Sequence, residues 1–152
     1  MRPLSKDLQE FIHFLNETGA EYLIVGAWSA AVHGYPRYTG DLDLFVGSSP
    51  QNADRLMETL VQFGFGNVGI TRDDFLKRDF VIQLGREPNR IDLLTGISGV
   101  SFEEAWSTRK AMRLQGLDVN VISRELLIKN KEASGRPKDL LDVDALRRIR
   151  SE

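Results

Sequence analysis

Two aspartates separated by one residue lie in the alternating segment DLDLFV, at residues 41–46. Side chains two positions apart in a strand point to the same side, so Asp41 and Asp43 share one face, about 6.5 to 7 Å apart at the backbone. Such a pair of carboxylates repels unless it binds a shared cation. The apolar residues of the segment face the other way, into the core, and hold the strand firmly. The pattern predicts a rigidly placed metal site.

A third acid, Asp92, lies in the segment RIDLL at residues 90–94, which is predicted to be a strand that can pair with the first. Three carboxylates provide the oxygen ligands that Mg²⁺ or Mn²⁺ favours. The chain has no cysteine and only two histidines, His13 and His33, so thiolate and histidine-rich metal sites are excluded. A hard cation is therefore expected. The alternative is that acids at a strand edge only resist aggregation.

A glycine at a predicted strand-to-helix turn precedes the two aspartates. Gly26 follows the apolar run EYLIV, at residues 21–25, and begins the small-residue segment GAWSAAVHG. Glycine lets a phosphate approach the backbone amides at the positive end of the following helix. An anion site beside a cation site implies a nucleotide phosphate as ligand.

The rest of the pattern predicts the elements that must position these residues. Helical periodicity and start signals predict helices over residues 4–15, 26–33, 50–63 and 101–108, with two more on either side of a break at residues 135–137. Short apolar runs predict strands over residues 21–25, 41–46, 79–84, 90–94, 111–114 and 117–122, with a hairpin turn at residues 85–89. These elements indicate an α/β or α+β fold with one central, short, mixed sheet flanked by helices and followed by C-terminal helices.

Length and composition restrict the remaining classes. A chain of 152 residues with 41% hydrophobic residues is expected to form one domain, over residues 1–152. Twenty basic and twenty-two acidic residues give a net charge of −2, so no overall field would hold the chain on nucleic acid or on a membrane. We see neither a signal-peptide pattern nor a membrane-spanning run, and a cytoplasmic location is expected.

The joint spacing of these motifs resembles the DNA polymerase β-like nucleotidyltransferases. That family has an apolar strand, Gly-Gly or Gly-Ser, about a dozen residues, Asp-x-Asp or Asp-x-Glu, and a third acid on a later strand. Here the order is Val25-Gly26-Ala27, thirteen residues, Asp41-Leu42-Asp43 and then Asp92. The stretch VGAWSAAVHGYPRYTGDLDLFV looks like small prokaryotic members related to abortive-infection and toxin–antitoxin nucleotidyltransferases. The segment KEASGRPKDLLD, at residues 131–142, resembles their later Lys and Asp motifs.

The resemblance implies transfer of a nucleoside monophosphate from a nucleoside triphosphate, with release of pyrophosphate. Asp41 and Asp43 would bind two magnesium ions, and Asp92 would act as a ligand or as the base for the acceptor hydroxyl. The acceptor would be a protein, an RNA end such as that of tRNA, or a small molecule. Because a chain of this size leaves little surface for substrate recognition, a homodimer or a partner protein is also expected.

The resemblance also assigns residues around the phosphates. Lys131 and Asp139 belong to the implied catalytic set, whereas the nucleotide-binding candidates are Gly26, Ala27, Ser29, Arg37 and Arg136. Arg37, Lys131 and Arg136 would offset the charge that develops on the leaving phosphates, although Arg37 fits an ordinary surface role equally well. Ala27 stands where the family usually has Gly or Ser. It keeps the amide but lacks the hydroxyl, which Ser29 is a candidate to supply.

Two other functions are alternatives to nucleotidyl transfer. A catalytically degenerate nucleotide-binding or protein-interaction module, such as an antitoxin-like partner, is favoured by Ala27. A phosphohydrolase with Asp-x-Asp as nucleophile and acid is less well supported, because we find none of the downstream threonine and lysine motifs of such sites.

Overall fold

The structure, a computed structural model, describes residues 4–36, 41–66, 69–86 and 89–149. Its helices are α1 (Lys6–Thr18), α2 (Gly26–Val32), α3 (Pro50–Phe63), α4 (Phe102–Ser107), α5 (Arg124–Ser134) and α6 (Pro137–Arg148), with a short 3₁₀ helix over Arg72–Leu76. Its strands are β1 (Tyr22–Val25), β2 (Leu42–Val46), β3 (Val81–Leu84), β4 (Ile91–Leu94), β5 (Lys110–Leu114) and β6 (Leu117–Val121).

Within the described residues, the strands form one six-stranded sheet in the order β3-β4-β2-β1-β6-β5. Strand β2 pairs antiparallel with β1 and parallel with β4, and β1 pairs parallel with β6. The β3–β4 and β5–β6 pairs are antiparallel, as consecutive hairpin strands are. The predicted α/β class, with a short mixed sheet between helices, is confirmed.

Each face of the sheet has its own hydrophobic cluster. Leu42, Leu44 and Val46 of β2 belong to the cluster that includes buried residues of α1 and α3. Phe45, on the opposite face, belongs to the cluster that includes buried residues of α5 and α6. The sequence predicted one buried face for this strand. The second face is also buried beyond Asp43, because helices from the C-terminal half cover it.

Serine caps define where several helices begin. The side chains of Ser5, Ser49, Ser101 and Ser123 accept hydrogen bonds from backbone amides in the first turns of α1, α3, α4 and α5. The predicted helix starts agree closely with these positions. The 3₁₀ helix was not predicted from the sequence; a capping box between Thr71 and Asp74 defines its start.

One row of residues crosses the sheet where the chemistry was predicted. The Cα register pairs Val25 with Asp43 and Asp43 with Asp92. The predicted neighbouring strands therefore bring two of the three acids side by side.

In the part of the chain that the structure describes, every helix is too short or too polar to cross a bilayer.

Candidate active site

The backbone of Gly26 lies directly against the carboxylate of Asp43. A Cβ atom built on Gly26 would lie 2.5 Å from Oδ2 of Asp43, well inside van der Waals contact. Gly26 also has a φ of +67°, a backbone conformation that glycine adopts without strain. The sequence assigned the space at this glycine to a phosphate. In the structure, the carboxylate of Asp43 lies in that space, so Gly26 is needed first to accommodate the acid.

Arg90 lies among the acids and binds two of them. Its Nη2 donates to Oδ2 of Asp41 at 2.8 Å, and its Nε donates to Oδ1 of Asp92 at 3.0 Å. A second bond joins Nη2 to Oδ2 of Asp92 at 3.2 Å, so the guanidinium holds this carboxylate with both nitrogens. Arg90 therefore bridges Asp41 and Asp92, whereas among the described residues no ion pair joins it to Asp43.

The carboxyl group of Asp43 lies in a crowded, negatively charged environment. Burial, the charges of Asp92 and Asp41 and a hydrogen bond with Asp92 together raise its pKa to about 6, against the lowering effect of Arg90. A cation at this position would relieve both the repulsion and the desolvation. Among the described residues, however, no three side chains of His, Cys, Asp or Glu converge as a ready-made metal site.

A second charged cluster lies on α5 and at the start of α6, and its residues Lys131, Asp139 and Asp142 are buried. Nζ of Lys131 donates to Oδ2 of Asp142 at 2.9 Å and to Oδ1 of Asp139 at 3.4 Å. Oδ2 of Asp139 also accepts from Ser134 and, at 2.7 Å, from Nε of Arg136. The pKa of Asp139 is low: burial raises it, but the hydrogen bonds from Ser134 and Arg136 and the charge of Lys131 outweigh burial. This carboxyl is therefore an anion.

One cleft, with a volume of about 210 Å³, joins the two charged regions. Its lining comprises Val25, Gly26, Asp43, Leu94, Ile97, Ser98, Asn130, Lys131, Ser134, Arg136 and Asp139. The cleft therefore has an acidic end at the sheet, a mixed cationic and anionic wall on α5 and α6, and apolar side chains between them. This combination suits a ligand that carries both phosphate groups and an apolar ring.

The predicted site residues differ in their relation to the cleft. Those that line it are Gly26, Asp43, Lys131, Arg136 and Asp139, while Asp92 lies beside Asp43 in the register of β2 and β4 and is bridged to Asp41 by Arg90. Ser29 is fully buried and its hydroxyl donates to the carbonyl of Gly26 at 2.7 Å, so it is turned into its own helix. Ala27 is half-buried and does not line the cleft. Arg37 lies outside the described residues.

Sequence reasoning missed Arg90 and underrated Asp142. Arg90 precedes Asp92 by two positions, and the period of a strand places both side chains on one face. That spacing was a usable signal. Asp142 was not among the predicted site residues, but it is 2% exposed and binds Lys131. His33 lies outside the cleft lining, and its Nε2 lies 2.7 Å from the carbonyl oxygen of Ile122.

The fold is similar to those of solved nucleotidyltransferases. A Thermotoga maritima protein, provisionally assigned as a nucleotidyltransferase, superposes with a TM-score of 0.58 at 14% identity, over 93% of this chain and 88% of its own. The lincosamide antibiotic adenylyltransferase LnuA, bound to lincomycin, has a TM-score of 0.56 at 12% identity, over 98% and 100%. An antigenic nucleotidyltransferase-like protein from Paracoccidioides brasiliensis has a TM-score of 0.52 at 19% identity, over 95% and 78%.

Sequence comparison gives the family directly. No curated protein sequence matches the chain significantly. A family profile described as "nucleotidyl transferase of unknown function (DUF2204)" matches residues 4–152. The match covers nearly the whole chain and includes the cleft and both charged clusters. The chain belongs to this family of nucleotidyl transferases.

Proposed function

We propose that the protein is an enzyme that transfers a nucleoside monophosphate from a nucleoside triphosphate to a hydroxyl group and releases pyrophosphate. The observation that carries the proposal is that Gly26 and Asp43 line the same cleft as Lys131 and Arg136, with Asp92 beside Asp43 on the neighbouring strand. Carboxylates at one end and phosphate-binding cations on the opposite wall are what nucleotidyl transfer requires.

The acids fit a divalent cation by their chemistry. Asp41, Asp43 and Asp92 offer oxygen ligands to Mg²⁺ or Mn²⁺, and the raised pKa of Asp43 reflects a local excess of negative charge. Arg90 supplies only part of the compensating charge. We assign Asp41 and Asp43 as the ligands, with Asp92 as a further ligand. When bound, the metal would polarise the phosphate and lower the pKa of the acceptor hydroxyl.

The chain's own groups then account for the remaining requirements. If Asp92 is not a metal ligand, it is the base that accepts the proton of the acceptor hydroxyl. It lies beside Asp43 on the parallel strand, and Arg90 orients its carboxylate. Lys131 and Arg136 offset the negative charge on the departing pyrophosphate. Leu94 and Ile97 provide an apolar surface for the nucleoside. The acceptor hydroxyl is carried by a protein, a tRNA or a small molecule. The enzyme is a single domain that acts in the cytoplasm, either as a homodimer, with a partner protein or alone.

Calorimetric titration of each nucleoside triphosphate, with and without magnesium, tests the proposal. The double variant Asp41→Ala/Asp43→Ala should lose magnesium-dependent binding. The control Glu125→Ala/Asp144→Ala removes two exposed acids from α5 and α6 and should bind like the wild type. Transfer of α-phosphate label onto acceptor mixtures then tests turnover. Absence of magnesium-dependent binding in the wild type would overturn the proposal.

A second candidate, a nucleotide-binding module without turnover, is favoured by one residue. Ala27 follows Gly26 at the start of α2 and offers no hydroxyl, and the hydroxyl of Ser29 is engaged by the carbonyl of Gly26. The substitution Ala27→Ser separates the two candidates. If the wild type binds a nucleotide but transfers no nucleoside monophosphate, and Ala27→Ser gains this activity, the wild type is a nucleotide-binding module without turnover.

A further inference from the structure

Three different cationic or hydroxyl donors converge on one carboxylate in the cleft wall. Asp139 accepts from Nζ of Lys131 at 3.4 Å, from Nε of Arg136 at 2.7 Å and from Oγ of Ser134. All four residues line the cleft, and Asp139 itself is 5% exposed. The carboxylate of Asp139 therefore occupies donors that face the space where a substrate would bind.

The donor set has the chemistry of a phosphate site. An ammonium, a guanidinium and a hydroxyl together can bind several oxygens of one phosphate group, and both cations bind phosphate more strongly than neutral donors do. Nζ of Lys131 also donates to Asp142 at 2.9 Å, a shorter distance than its 3.4 Å contact with Asp139. The Arg136 side chain is 76% exposed and lines the cleft, and among the described residues its bond to Asp139 uses Nε, which leaves the terminal nitrogens as the groups proposed to bind a ligand.

We infer that Lys131, Ser134 and Arg136 form a polyphosphate-binding subsite, and that Asp139 is its built-in competitor. In the empty cleft the carboxylate of Asp139 satisfies the donors, and an entering phosphate group displaces it. The identification of the phosphate as part of a nucleoside triphosphate rests on the proposed function. Binding of a free polyphosphate to the same donors does not.

The carboxylate of Asp139 also stabilises the buried ammonium of Lys131. Lys131 is 7% exposed, and a buried ammonium without enough counter-charge is strongly destabilising. Asp139 and Asp142 supply that charge while the cleft is empty. Because the ligand must displace a carboxylate, the subsite favours pyrophosphate and triphosphate groups, with several negative charges, over a single phosphate. It thereby selects nucleoside triphosphates over monophosphates.

Calorimetric titration of pyrophosphate in the presence of EDTA tests the competition without any metal site. Asp139→Asn should bind pyrophosphate at least about tenfold more tightly than the wild type, because the donors lose their anion. Asp144→Asn removes the same charge from an exposed position of α6 and should change the affinity less than about twofold. Equal affinities of Asp139→Asn and wild type, or equal gains in both variants, would overturn the inference.

Two further measurements keep the outcome clear. Adding Arg136→Ala to Asp139→Asn should cancel most of the gain. If Asp139→Asn does not fold, the Arg136 Nε–H resonance of the wild type is followed by NMR during a pyrophosphate titration. It should shift to a new position as the carboxylate is replaced, whereas an unchanged resonance at saturation refutes displacement. Failure of magnesium-dependent nucleotide binding, with this pyrophosphate response intact, would remove the proposed function and leave the subsite.

Discussion

The α-carbon of Gly26 lies so close to Asp43 that a single added methyl group would lie 2.5 Å from Oδ2 of the carboxylate. Gly26, the first residue of α2, and Asp43, in β2, therefore pack tightly against each other. This contact places the proposed metal ligand directly against the start of the helix.

Gly26→Ala should displace Asp43 and abolish magnesium-dependent nucleotide binding. Gly19→Ala is the matched control, since Gly19 also has a positive φ, +72°, but a Cβ there meets nothing within 4 Å. The control should lose only the backbone term, about 1 kcal/mol, whereas Gly26→Ala should lose roughly 2–4 kcal/mol of unfolding free energy. Urea denaturation and calorimetry give both quantities. Equal losses of stability in the two variants would mean that the contact is not tight.

Asp43→Asn should stabilise the protein in EDTA near neutral pH while it removes magnesium binding. The amide eliminates the repulsion from Asp41 and Asp92 that contributes to the raised pKa of Asp43. The expected gain in unfolding free energy is roughly 1–3 kcal/mol. Asp144→Asn, an exposed change on α6, should alter stability by less than about 0.5 kcal/mol. A destabilised Asp43→Asn would show that Arg90 already compensates the acids fully.

The buried phenol of Tyr22 predicts a loss of stability at alkaline pH. Burial raises its pKa from 10.0 to about 12. Because the folded pKa is the higher one, the stabilisation is complete below about pH 10 and is lost as pH rises through 12. The difference amounts to roughly 2–3 kcal/mol. Tyr22→Phe should remove this part of the pH dependence, and Tyr35→Phe, at a half-buried position, should keep it. Denaturation curves at several alkaline pH values measure both.

The Lys131–Asp142 pair should contribute far more to stability than a surface pair does. Asp142→Ala leaves the ammonium of Lys131 buried with the longer contact to Asp139, at 3.4 Å, and should cost roughly 3 kcal/mol of unfolding free energy. Asp118→Ala breaks the exposed pair with Arg113, which has the similar N–O distance of 3.0 Å, and should cost less than about 1 kcal/mol. Similar losses in thermal or urea denaturation would contradict the role assigned to burial.

Local patterns predicted most of the secondary structure, because the caps and periodicities that set it are properties of neighbouring residues. Ser49 followed by Pro50 predicts the start of α3, and the alternation after Asp41 predicts β2. The strand that carries Asp92 was predicted to be able to pair with β2, and the register shows that pairing and the proximity of Asp43 to Asp92.

The contacts that sequence reasoning did not find depend on residues far apart in the chain. Asn52 is 1% exposed and binds the backbone of Glu21 and Gly47, joining α3 to the start of β1 and the end of β2. An asparagine in the first turn of a helix carries no local sign of that role. Likewise, the sequence does not reveal that Arg90 binds Asp41, because that contact exists only once β2 and β4 are paired.

The row from Val25 through Asp43 to Asp92 has a consequence for folding. These residues come from widely separated parts of the chain and meet only when the antiparallel β1–β2 and parallel β2–β4 pairings have both formed. Non-local pairings form late and are lost together in cooperative unfolding. A partly folded chain therefore cannot hold the acids in position, and nucleotide-dependent magnesium binding would report directly on completion of the native sheet.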